Sequence, residues 1–220
     1  MSSSLSAETK NKSTRQFKGL DLEERQRIRR EKLIEAGLQT YGTQGFFSVT
    51  IKDICKEAKL TERYFYESFK RSEELFTAVY LQLVNELQKN VVNAVHKALP
   101  DREKMIEAGL SMILRTLHDD PRIARILFID AVLVHELHGQ TINESMSLFD
   151  RTIVGFIQLI FPDKELSSAQ TVLVATGLNG YVVQIAMRWV MGGFKYPMDQ
   201  VLDACKVGYM GILKHLELNP

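Results

Sequence analysis

Cysteine is nearly missing from this 220-residue chain. Its two cysteines, Cys55 and Cys205, lie far apart with no paired spacing, so neither a disulfide framework nor a zinc site is indicated and a reducing cytoplasm is the expected compartment. An excess of one charge is missing too. The 28 Lys and Arg stand against 27 Asp and Glu, so overall charge makes no case for a nucleic-acid partner. No apolar run follows the serine-rich first residues, and no signal peptide is visible. The uncharged stretch from Thr171 to Met187 falls just short of a comfortable membrane span and contains Thr176, Asn179 and Gln184. It reads as a buried helix, with no membrane partner. No glycine-rich phosphate loop, nucleophile motif or paired-carboxylate signature occurs, so an enzyme is not expected and no cofactor is implied. His135 and His138 have an i, i+3 spacing that suits a metal on a helix, but nothing nearby completes a ligand set and no metal is expected.

What the chain does have is apolar residues in helical periods. At 45% hydrophobic it can bury a full core, in one large domain or in a small one joined to a larger one. Charge is mildly uneven: residues 1–75 hold 15 Lys and Arg against 12 Asp and Glu, and the remainder is slightly acidic. Residues 1–24 are rich in Ser, Lys and Glu and are expected to be a mobile arm. From Glu24 a helical period begins, with Ile34, Leu38 and Tyr41 on one face, and Gly42 and Gly45 stop it. A long helix is expected from Ser72 to about Ala98, with further helices over about 101–118, 121–138, 144–160, 168–191 and 198–216 and no convincing strand. Pro121 marks one helix start and Gly192-Gly193 a stop.

The stretch between Gly45 and Ser72 carries the strongest signal. In "TIKDICKEA", Ile51, Ile54, Cys55 and Ala58 fall at i, i+3, i+4 and i+7, and Thr50 with Asp53 is an N-cap pair. A second short helix is expected to start near Thr61, capped by that residue, with Glu62 in its first turn. Turned at 100° per residue, it puts Phe65 and Phe69 on a core face, Arg63, Tyr64, Glu67 and Lys70 on the opposite face, and Tyr66 at the flank. Two short helices joined by a tight turn, the second with a polar aromatic outer face, meet the needs of a helix-turn-helix entering a DNA major groove. Arg63 suits bidentate reading of guanine and Tyr64 suits base-edge or methyl contacts. Tyr66 and Lys70 suit phosphate oxygens, as do Thr50 and Lys52 with the amides at the first helix's start.

The segment "GFFSVTIKDICKEAKLTERYFYESFKRSEEL" resembles the DNA-binding region of TetR/AcrR-family transcriptional regulators. Gly45 and Phe46 match that family's opening pair, Thr50 its helix-start Thr, Ile54 and Cys55 its Ile-Ala pair, Ala58 and Leu60 its turn, and Tyr66 with Phe69 its Tyr-x-x-Phe signature. The resemblance covers about residues 28–80. It implies DNA contacts by Thr50, Lys52, Arg63, Tyr64 and Tyr66, and Thr61, Lys70 and Arg71 are expected to join them. Three positions depart from the family: Lys59 replaces the turn glycine, Arg63 a small residue, and Ser72 a lysine whose phosphate contact Lys70 or Arg71 would replace.

The expected architecture is therefore all-α: an arm over 1–24, a three-helix bundle with the helix-turn-helix over 25–71, and a larger helical ligand-binding and dimerisation domain over 72–220. The resemblance implies a homodimer on a near-palindromic operator, with the last two long helices pairing across the two-fold axis, where Gly177 and Gly180 permit close approach. It also implies a small-molecule effector that releases a repressor. Expected lining residues are Phe128, Val132, Phe156 and Trp189, with Asn179 or Arg188 as polar anchor for an apolar molecule with one polar or acidic head. The alternative is an all-α enzyme or carrier of an apolar ligand.

Overall fold

The computed structural model describes the backbone of residues 5–134, 140–162 and 168–218, and side chains from residue 21 onward within those ranges apart from Ser168 and Leu218. Helix α1 spans Leu5–Gln44, α2 Ile51–Ala58, α3 Glu62–Ser68, α4 Ser72–Lys97 and α5 Arg102–Asp119. After Pro121–Arg125 (α6), the chain widens into a π-helical turn, Ile126–Asp130, and closes with α7, Ala131–Leu133. Helices α8 (Gln140–Ile160), α9 (Ser168–Met191) and α10 (Met198–Leu218) complete the chain, and no strand occurs among the described residues.

Helix α1 begins well before Glu24, where periodicity places its start, and runs through most of the segment expected as an arm. No proline interrupts Leu5–Gln44, and its Glu, Lys, Arg and Gln residues are good helix formers. Exposed pairs one turn apart, Arg25 to Asp21 and Arg27 to both Glu24 and Glu31, line its solvent face. Such pairs contribute only a few tenths of a kcal/mol each. The C-terminal half of α1 is held by packing instead, through buried Leu33, Ile34, Ala36 and Tyr41.

One apolar cluster joins the short helices α2 and α3, which with the end of α1 form the reading head expected from sequence, to the rest. Ile54, Cys55 and Ala58 of α2 and Phe65 of α3, with Phe69 just beyond it, pack with Leu33 and Tyr41 of α1. The same cluster continues through Leu75, Phe76, Val79 and Leu83 of α4 to Ile126, Ala131 and Val134. Tyr41 fixes the start of α4: its hydroxyl lies 2.7 Å from the Ser72 hydroxyl, and burial pushes its pKa up. Ser72 thus serves this joint, while Arg71 occupies the N-cap position. Farther along, α5, α9 and α10 share Leu110, Leu114, Val182, Trp189, Val201 and Cys205.

The short helices begin and end for identifiable reasons. Thr50 and Asp53 form a complete capping box, in which the Thr50 backbone N–H and hydroxyl both reach the Asp53 carboxylate. Those bonds hold the Asp53 carboxyl below the usual carboxylate range. Thr61 occupies the α3 N-cap in extended geometry but makes no capping bond with its side chain, contrary to expectation. Helix α3 ends at Ser68, because Phe69 turns extended (φ −143°) to reach the core, so Lys70 and Arg71 lie beyond it. At the end of α2, Lys59 takes the left-handed conformation (φ 55°) while the Leu60 N–H donates to the Cys55 carbonyl, closing a Schellman turn. A side chain there is strained relative to glycine. Lys59→Gly is therefore expected to stabilise the chain by about 0.5–1 kcal/mol, read as a higher denaturant midpoint; unchanged or lower stability would contradict this view of the turn.

Candidate nucleic-acid interface and internal cavity

Phe65 and Phe69 anchor α3 from beneath at 0% and 4% exposure, and this fixes what its other face presents. Tyr66 is 56% exposed and the Arg63 side chain 84% exposed. Lys52 and Thr61 are also exposed, as are Lys70 and Arg71 at the C-terminal side. Tyr64 is half-buried, because the guanidinium of Arg29 lies over its ring 3.9 Å from the centroid. Glu67 accepts from Arg63 Nε at 3.2 Å and from Arg29 Nη1 at 3.3 Å. It thereby ties α1 to α3 and keeps its own negative charge paired on a face that otherwise carries cations and phenols. Arg29 was not among the expected site residues; its signal was the run of arginines ahead of Ile34. The Thr50 hydroxyl is engaged in the capping box, leaving Lys52 and the first amides of α2 as the freer phosphate donors.

An internal cavity lies between the long helices. Two apolar lobes, about 110 and 140 Å³, meet at Ile113, Phe149, Asn179 and Val182. The first extends past Phe156 and Tyr209 toward the far end of the bundle, and the second past Phe128 and Val132 toward the π-helical turn. Of the expected lining residues, Phe128, Val132, Phe156 and Asn179 border these lobes. Trp189 does not: it is core, its ring stacked on His118 and its indole N–H donating to the Tyr196 carbonyl. Arg188 does not either; with Gln184 it lies on the exposed side of α9, since the helix buries Val182, Ala186 and Trp189 on its opposite side. Asn179 is the one residue of that polar trio that is buried.

The junction between reading head and cavity is polar and close. Gly42 lets α6 approach α1 so nearly that a Cβ would run into Arg122, and a Cβ at Gly45 would meet the Arg125 guanidinium. Gly45 also has φ 88°, which favours glycine on its own account. Across this contact Arg122 donates to the Gln39 side chain while paired with Asp120, whose carboxyl it holds below the usual range. Asp130, on the π-helical turn, is 3% exposed and accepts the Phe46 backbone N–H at 3.1 Å. Its carboxylate also faces Arg125 Nε at 3.6 Å, a nitrogen without a hydrogen bond among the described residues. Sequence periodicity offered no sign of Asp130; the paired glycines were the only hint that something packs against the end of α1.

Among the described residues no group of His, Cys, Asp and Glu is placed to hold a metal, and His135 and His138 lie outside them. No described helix is long and apolar enough to cross a membrane.

A buried-cored pair of short helices with an exposed aromatic and cationic face, joined to a helical bundle with an apolar cavity, defines a helix-turn-helix DNA-binding protein. Residues 33–79 match the family model for bacterial regulatory proteins of the tetR family. Over this segment the chain is similar to that family of transcriptional regulators. It is 31% identical over 78 residues to the HTH-type transcriptional regulator BetI of Agrobacterium fabrum, a match covering 36% of this chain and only 38% of that one. With BetI of Brucella melitensis it shares 24% identity over 166 residues, 75% of this chain and 81% of the relative. The fold is similar to that of FadR from Bacillus subtilis, solved in complex with stearoyl-CoA, with TM-score 0.64, 19% identity and coverage of 81% and 98% of the two chains.

Removing the Asp130 carboxylate leaves the Phe46 N–H and Arg125 without their buried partner. Asp130→Ala is expected to cost about 2–3 kcal/mol in equilibrium unfolding, and a loss below ~0.5 kcal/mol would show that the junction is not held by this residue.

Proposed function

We propose that the chain is a homodimeric repressor that binds a near-palindromic DNA operator and leaves it when a small apolar effector fills the cavity. Residues 25–71 form the reading domain and residues 72–220 the effector and dimerisation domain, and the protein works in the cytoplasm. The observation that carries this reading is that one element serves both regions: the π-helical turn borders the cavity with Leu127 and Phe128, and the same turn holds the start of the reading head through Asp130.

In this reading Arg63 and Tyr64 meet base edges, and Tyr66, Lys70, Arg71, Lys52, Thr50 and Thr61 meet backbone phosphates. Arg29 steadies Tyr64 from behind. An effector widens the space between α4, α8 and the π-helical turn, the turn shifts, and Asp130 carries the shift to Phe46. Helix α4, continuous from Ser72 to Lys97, moves with it. The two reading helices of the dimer then no longer match successive turns of the groove. The stearoyl-CoA bound by the Bacillus subtilis neighbour supports a long apolar effector, since two adjoining apolar lobes suit such a molecule.

Dimerisation is supported by the uncovered side of α9 and α10. Leu173 (71% exposed), Tyr181 and Met191 share a stripe with Gly177 and Gly180, beside which α10 presents Val207 (68% exposed) and Gly211. A Cβ at Gly177, Gly180 or Gly211 would touch nothing within the protomer, so these positions leave room for a partner helix. Two-fold pairing of such a face yields a closed dimer and doubles the bases read.

Arg63→Ala is expected to cost about 1–3 kcal/mol on the best operator and to relax preference at one base pair, whereas Tyr66→Phe weakens all sequences evenly. Binding curves across single-base operator variants check this, and unchanged selectivity in Arg63→Ala would displace the reading face. Val207→Glu, on an exposed position, is expected to leave the fold intact and yield monomers in sedimentation at micromolar concentration with loss of tight operator binding. A dimer that persists with full affinity would remove α10 from the seam.

A further inference from the structure

The effector's polar group can be specified from the one polar side chain among those where the two lobes meet, granted the reading of this cavity as the effector site. Asn179 is 6% exposed. Both hydrogens of its amide nitrogen are committed to α8: Nδ2 donates to the Met146 carbonyl at 3.1 Å and to Asp150 Oδ1 at 2.7 Å. Both partners are acceptors only, so the amide cannot be turned round without setting its oxygen against a carbonyl and a carboxylate. Asp150 is itself fixed by Thr176, whose hydroxyl donates to Oδ2 at 2.7 Å. What Asn179 can still offer is its carbonyl oxygen, which accepts no hydrogen bond among the described residues. That oxygen is not sealed in the core, so a ligand in the cavity that donates to it gives it a partner.

The surrounding charges point the same way. Asp150 is the charged group bonded to the cavity-lining Asn179, and it is an acid. Arg188, the cation expected to anchor an acidic head, is exposed on α9 and borders neither lobe. Tyr209 borders the first lobe; burial foremost, and the nearby Asp150 carboxylate with it, push its pKa up, so its hydroxyl stays protonated. The rest of both linings is almost wholly aliphatic and aromatic apart from the hydroxyls of Thr152, Tyr80 and Ser145. A carboxylate brought to Asn179 meets an acceptor oxygen and a neighbouring negative charge, and no Lys or Arg is among the residues lining either lobe, Arg102 lying over the ring of Phe161 instead.

We infer that the cavity selects an elongated apolar molecule carrying a hydrogen-bond donor, a hydroxyl or a protonated amine, received by the Asn179 carbonyl oxygen at the meeting point of the lobes. Of the polar or acidic head expected from sequence, this keeps the polar and excludes the acidic. A hydroxyl and an ammonium share the chemistry required, and Asp150 behind Asn179 adds attraction for the second.

The test uses the full-length chain and four probes of one chain length, decane, decanol, decylamine at neutral pH and decanoate, each below its micellar concentration. Affinity is measured by displacement of a fluorescent apolar probe and by thermal shift. Decanol or decylamine is expected to bind at least roughly five-fold more tightly than decane, about the worth of one hydrogen bond, and decanoate more weakly than either donor. Decylamine ahead of decanol assigns Asp150 a share in recognition, and equal binding assigns the effect to the neutral acceptor; both support the inference. Decanoate binding as well as the donors overturns it, as does decane matching them. Asn179→Leu is expected to erase the preference for donors over decane. If that variant does not fold, Thr176→Val, which loosens Asp150, is expected to narrow the preference, and the wild-type ranking alone still decides. Operator affinity measured with each probe separates the two readings. Decanoate that binds and releases operator overturns the donor requirement and leaves the regulator intact, whereas a tightly bound donor without effect on operator binding does the reverse.

Discussion

The buried carboxylate of Asp130 is the constraint on which the arrangement of this molecule turns. An ionisable group this deep is tolerated only with partners, and its partners come from two different parts of the chain. One is the backbone N–H of Phe46, four residues before the Thr50 cap of α2; the other is Arg125, at the end of α6. Gly42 and Gly45 follow from this joint, since any larger residue would hold α6 away from α1. The widened π-helical turn follows as well, because it is the segment that carries Asp130. The joint combines one good hydrogen bond with one long ion pair to a guanidinium nitrogen that lacks a hydrogen bond. An interface of that kind is specific without being rigid, and it suits an element with two positions.

Around this joint the reading head needs little energy of its own. Helices α2 and α3 are eight and seven residues long, too short to persist alone. They persist because Ile54, Cys55, Phe65 and Phe69 enter a core already built by α1 and α4. The capping box at Thr50 and the Schellman turn at Lys59 set where they start and stop. With the core on one side fully occupied, the outer face is free to be polar, aromatic and cationic, which answers why so short a helix carries two tyrosines beyond its core phenylalanines. Tyr64 is steadied by Arg29, and Tyr66 is left to solvent.

Most of the fold was legible because helical period, caps and breakers are local. The long helix from Ser72, the start at Pro121 and the stop at Gly192-Gly193 follow the residues that signal them. The N-terminal stretch was misjudged because a polar composition suits a mobile arm and an exposed helix alike, and only helix propensity separates them. At the cavity, Asn179 was legible as a buried polar residue that needs partners. Arg188 and Trp189 were not, since an apolar helix with few charges does not say which side faces the bundle. Trp189 went to the core and Arg188 to the outside. The Asp130 joint was invisible for a different reason: its partners are 84 and five residues away, and no local pattern records a contact between a side chain and a distant backbone amide.

The most direct test of coupling through this joint is amide hydrogen exchange at Phe46, followed while the cavity is filled by an occupant found by thermal shift and operator affinity is measured on the same samples. Coupling through Asp130 predicts a protected Phe46 amide in the free protein that loses protection in step with release of the operator. Release of the operator with Phe46 protection unchanged would contradict it.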